Sequence, residues 1–91
     1  TSGPAPFVDR CRNELEQLSS ALAAEGARGV SETAHSIKGA SGNMRFERVY
    51  EIAKVIEEDA RRRSLDNIQS RIDQIRISIE HIEEDFKTFS G

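Results

Sequence analysis

Apolar positions recur along the chain at steps of three or four, the spacing that lines up one face of an α-helix. Phe7, Cys11, Leu15, Leu18 and Leu22 form a first stripe, and Gly26 and Gly29 flank the break that follows. Val30, Ala34, Ile37, Ser41 and Met44 make a second, narrower stripe. Phe46, Val49, Tyr50, Ala53, Ile56 and Ala60 make a third, which runs into Arg61-Arg62-Arg63 where the negative end of a helix dipole favours cations. The last stripe is the most regular: Leu65, Ile68, Ile72, Ile75, Ile79, Ile82, Phe86 and Phe89, with only Ile77 off the seam and pointing outward. Ser64 or Asp66 can cap its helix.

Strand signals and internal repeats are lacking, and the connections span a few residues, so consecutive helices must run antiparallel. The pattern predicts an all-α fold, an antiparallel up-down-up-down four-helix bundle over residues 7–89. The opening Thr-Ser-Gly-Pro-Ala-Pro, residues 1–6, reads as a linker or cloning remnant. A coiled coil between chains is the competing reading of the isoleucine seam, and a monomer is expected.

Composition narrows the function. A chain of 91 residues makes one domain with a modest core, so a surface site is favoured over a deep pocket. Its net charge of -3 argues against nucleic acid as a partner. Cys11, the single cysteine, excludes an internal disulfide and a thiolate zinc site; it reads as core and suits a reducing cytoplasm. Without an apolar run long enough for a bilayer or a signal-peptide pattern, the domain is expected to make no direct membrane contact, although a parent protein is free to be membrane-anchored.

The chemistry concentrates in Ala34 to Met44, A-H-S-I-K-G-A-S-G-N-M. Two glycines inside a helix each cost roughly 1 kcal/mol relative to alanine. At about 100° per residue, His35 lies about 140° from the apolar stripe, on the solvent face, with Lys38 at about 80°, Gly42 at about 120° and Gly39 at about 180°. The imidazole is thus expected to stand beside one lysine and two residues without side chains. Imidazole has an ordinary pKa of about 6.5, and its neutral form is a nucleophile near pH 7. As a phosphoryl acceptor, His35 would need space, from Gly39 and Gly42, and a nearby cation, from Lys38, with the Ser31 hydroxyl one turn before as an accessory.

His35-Ser36-Ile37-Lys38-Gly39-Ala40-Ser41-Gly42 resembles the H-x-x-K-G-x-x-G signature of histidine-containing phosphotransfer (HPt) domains, four-helix bundles with the histidine on the second helix. The resemblance implies a phosphorelay intermediate in which His35 takes a phosphoryl group from a receiver-domain aspartate and passes it to another. It implies a phosphocarrier without kinase activity of its own, partnered by response-regulator receivers and, where the domain is part of one, by a hybrid histidine kinase in cis. The domain itself would need no cofactor or metal, Mg²⁺ being expected in the receiver. The phosphotransfer domain of chemotaxis kinases carries a similar A-H-S-I-K-G string. A helical interaction or dimerisation module, with glycines that permit close packing, is the rival from another class.

Many relatives carry a further glycine three residues after Gly42, where this chain has Arg45. A left-handed helix cap is awkward for arginine, so the turn into Phe46 is expected to be made in another way. His81, flanked by acids, reads as solvated, as do Glu57, Glu58 and Asp59, while Arg61 to Arg63 read as a helix end in water.

Overall fold

The computed structural model describes residues 5–24 and 26–90, which form four α-helices: α1 (Ala5–Ala23), α2 (Ala27–Asn43), α3 (Glu47–Arg61) and α4 (Ile68–Ser90). No strand occurs among the described residues. Each helix packs on its neighbours in chain order and α1 closes against α4, the arrangement of an up-down-up-down bundle, 43 × 20 × 18 Å in extent. Of the first six residues, 1–4 lie outside those described, whereas Ala5 and Pro6 belong to α1. Proline suits a first turn because the N–H it lacks has no partner there. None of the described helices is long and apolar enough to cross a membrane.

The core is the four stripes brought together. Phe7, Cys11, Leu15 and Leu18 meet Val30, Ala34 and Ile37, then Val49, Ala53, Ile56 and Ala60, and the isoleucines 68, 72, 75 and 79. Val8 and Ile52 join them from beside their stripes. The stripe ends drop out of the core: Met44 and Phe86 are exposed, Ile82 is half-buried, and the side chain of Phe89 lies outside those described. Ile77 is exposed, as its position off the seam requires. α4 begins at Ile68 rather than Leu65, whose carbonyl accepts from the Ile68 N–H. Burial, with Glu14 adding to it, pushes the Cys11 thiol up to about 12, so it stays protonated as a core group.

The end of α2 corrects the expectation for Arg45, which does adopt the left-handed conformation, at φ 60°. The Phe46 N–H donates to the Ser41 carbonyl at 2.9 Å and the Arg45 N–H to the Gly42 carbonyl at 3.2 Å, the paired bonds of a Schellman turn. The ring of Phe46, packed on Phe7 with centroids 4.8 Å apart, holds that turn to α1. α3 ends in the same way: Arg63 has φ 59°, and Ser64 N–H reaches the Asp59 carbonyl at 2.8 Å. At the end of α2 the packing of Phe46 on Phe7 and the core therefore overrides the preference for glycine. Arg45→Gly should relieve a left-handed penalty of roughly 1–2 kcal/mol, offset in part by the greater freedom of an unfolded glycine. A net gain of about 0.5–1 kcal/mol is expected, read as a higher urea midpoint with an unchanged slope.

Candidate functional site

α2 and α3 run antiparallel side by side, and their register places one polar cluster on the surface between them. His35 on α2 lies opposite Glu57 on α3; seven residues further along α2, Gly42 lies opposite Tyr50, seven back along α3. The His35 side chain is 67% exposed, as the helical projection requires. Its Nδ1 lies 2.9 Å from Glu57 Oε2. Glu57 is also met by Lys38 Nζ at 2.7 Å on Oε1 and by Arg61 Nη2 at 2.8 Å on Oε2.

Glu57 overturns the reading of residues 57–59 as a solvated face, because its side chain is only 2% exposed. Burial pushes its carboxyl upward, but hydrogen bonds from Lys38 and His35 and the charges of Lys38 and Arg61 outweigh that and hold it below its ordinary value. Ionised, the carboxylate can only accept, so Nδ1 must carry the ring proton and donate it to Oε2. The Nε2 lone pair is then free, and no protein group hydrogen-bonds to it among the described residues. Ring, lysine and carboxylate form one connected unit around an exposed nucleophile.

The two glycines separate. A Cβ added to Gly39 meets nothing within 4 Å, so this glycine leaves open space one turn from His35 and mediates no helix contact. A Cβ at Gly42 would stand 3.4 Å from Tyr50 Cδ2, and Gly42 is about 10 Å along the helix from His35. A Cβ there would touch the tyrosine ring of α3 at ordinary contact distance, so packing against Tyr50 does not itself require glycine at this position. Ser31 lines a shallow depression with Arg28, Glu32, Ala60, Arg61 and Arg63, and makes no hydrogen bond to His35.

On the other side of His35, the Ser36 hydroxyl donates to Glu14 Oε2 on α1, and Arg10 Nη2 donates to that hydroxyl at 3.3 Å. This clasp, like the Glu57 cluster, ties α2 to a helix next to it in chain order through residues outside the core. A signal for Glu57 does exist: it stands four residues after Ala53 and three before Ala60, a charge on an apolar stripe. The arginines after it are not simply a helix end in water. Arg61 holds Glu57, Arg62 Nη2 holds Asp59 at 2.6 Å, and Arg63 makes the turn.

Residues 5–85 match the family model described as Hpt domain. The structure is similar to the crystal structure of histidine-containing phosphotransfer protein B (HptB) from Pseudomonas aeruginosa PAO1, with a TM-score of 0.86 and 33% identity, covering 92% of this chain and 73% of that one. No curated protein sequence matches the chain.

Proposed function

The chain belongs to the Hpt domain family, and we propose that within it His35 is the phosphoacceptor, Lys38 the cation that steadies the phosphoryl group, and Glu57 the residue that fixes the imidazole tautomer. As a family member the chain is a phosphorelay intermediate, and Hpt domains pass phosphoryl groups to receiver domains. The observation that carries the residue assignment is an exposed imidazole whose Nδ1–H is held by a buried, ionised carboxylate at 2.9 Å.

Acceptance is an in-line substitution at phosphorus. The Nε2 lone pair forms the N–P bond, the P–O bond of the receiver's acyl phosphate breaks, and its electron pair leaves on the aspartate carboxylate. The ring keeps its Nδ1 proton and becomes a cation, facing the Glu57 carboxylate that compensates it. In the reverse step the N–P bond breaks and its pair returns to Nε2, releasing a neutral imidazole rather than an imidazolate. Lys38, on a flexible stem, turns from Glu57 to the phosphoryl oxygens. Gly39 supplies the space for that group.

The receiver approaches over α2, where the depression lined by Pro6, Phe7, Ala40 and Met44 offers apolar surface beside the site. A monomer in the cytoplasm, free or joined to a hybrid kinase, fits the role, with Mg²⁺ in the receiver. Incubation with a phosphorylated receiver should give an acid-labile phosphohistidine with a ¹⁵N–³¹P coupling at Nε2. Coupling at Nδ1, or an acid-stable product, overturns the assignment.

A further inference from the structure

Glu57 is a buried carboxylate with three partners, and the phosphoryl group takes one of them away. We infer that Arg61 is a positioning residue for phosphotransfer, keeping Glu57 charged and aimed at His35 Nδ1 while Lys38 is engaged with the phosphoryl group. This rests on the assignment of His35 and Lys38 above and adds a residue that touches neither the ring nor the phosphoryl group.

The geometry divides the two oxygens of Glu57. Oε1 receives Lys38 alone, at 2.7 Å, whereas Oε2 is shared by His35 Nδ1 at 2.9 Å and Arg61 Nη2 at 2.8 Å. Departure of Lys38 therefore empties Oε1 and leaves intact the oxygen that holds the imidazole. The charged groups facing Glu57 are His35 and Lys38 from α2 and Arg61 from α3 itself; α4 directs its Arg71 to Asp59 instead, at 3.6 Å. With Lys38 on the phosphoryl group and Arg61 absent, the phosphorylated ring itself would be the one cation left beside a carboxylate that is 2% exposed, with no protein cation to hold the charge once the phosphoryl group leaves.

Arg61 suits that post. A guanidinium keeps its charge at all working pH values and bonds in a fixed planar geometry, unlike the mobile ammonium of Lys38. Its place one turn after Glu57, at the end of α3, puts the charge at the favourable pole of the helix. The backbone there is tied down by the left-handed turn at Arg63 and by Arg62 on Asp59. Removing this cation leaves burial less opposed, so Glu57 takes up a proton at a higher pH. A protonated Glu57 no longer offsets the charge on the phosphorylated ring.

The test compares Arg61→Gln, Arg61→Lys and His35→Gln with the parent chain, using a phosphorylated receiver across a pH series and ¹⁵N spectra of the imidazole. Arg61→Gln should move the acid limb of transfer to higher pH and lower the phosphohistidine present at equilibrium by about two- to fivefold, the size of one partly exposed ion pair. Arg61→Lys should restore most of both, and His35→Gln should take no label. A merely structural role would change stability without moving the acid limb. His35-dependent labelling with an unmoved limb and undiminished phosphohistidine in Arg61→Gln overturns the role of Arg61 alone; full labelling of His35→Gln overturns the phosphoacceptor assignment and this inference with it.

Discussion

His35→Gln should take no phosphoryl group from a phosphorylated receiver, while the bundle remains folded. Glutamine carries its amide group as far from Cβ as the imidazole Nε2, where the attacking atom stood, but an amide has no nucleophilic lone pair to form the N–P bond. The expected loss is complete, since no other residue of the site offers a nucleophile aimed at the same point. The side chain is 67% exposed, and Lys38 and Arg61 still hold Glu57 without it, so loss of its one hydrogen bond should lower stability by about 1–2 kcal/mol. Radiolabelled phosphoryl transfer, with a urea melt of the same sample, separates loss of chemistry from loss of fold. His81, the other histidine, lies exposed on α4 in a depression with Arg45, Arg48 and Asp85. His81→Gln should therefore label like the parent chain, and label persisting in His35→Gln sinks the assignment.

The part of this site legible in the sequence is the part governed by a single helix. Face, spacing and neighbours of His35 on α2 follow from the helical projection, and so does the order of the four apolar stripes. What escapes is set between helices. Glu57 belongs to the site because α3 lies antiparallel to α2 in one register, and its four neighbours Lys54, Glu58, Asp59 and Arg61 give the local sequence a solvated look. Gly42 has the spacing of a residue clearing space for His35, yet the neighbour that a side chain there would touch is the ring of Tyr50 on α3. Arg45 adopts φ 60° because Phe46 must reach Phe7 and the core, a demand that the identity of residue 45 does not record. Met44 continues the α2 stripe in spacing, but it sits at the helix end, beyond the last turn that the neighbouring helices cover.

Glu57 offers the sharpest separation of function from stability. Glu57→Gln and Glu57→Leu should each slow phosphoryl transfer by about 10- to 100-fold, because hydrogen bonds to a charged group contribute roughly 1.5–3 kcal/mol and each 1.36 kcal/mol is a factor of ten. Without the carboxylate, the ring loses the acceptor that selects the Nδ1–H tautomer and the anion that faces its positive charge after attack. Stability responds differently. Replacing a buried charge by an apolar group of similar size removes its desolvation cost, and Lys38 and Arg61, 25% and 66% exposed, can turn to water. Glu57→Leu should thus fold within about 1 kcal/mol of the parent at neutral pH. The two should differ in acid. The Glu57 carboxyl lies below its ordinary value when folded, so it adds stability above the ordinary carboxylate range, which is lost as pH falls through the folded value. Urea midpoints of the parent should therefore fall more steeply below that range than those of Glu57→Leu. Coincident acid limbs would place the net ionisation preference of Glu57 elsewhere, and undiminished transfer in either variant would remove Glu57 from the mechanism.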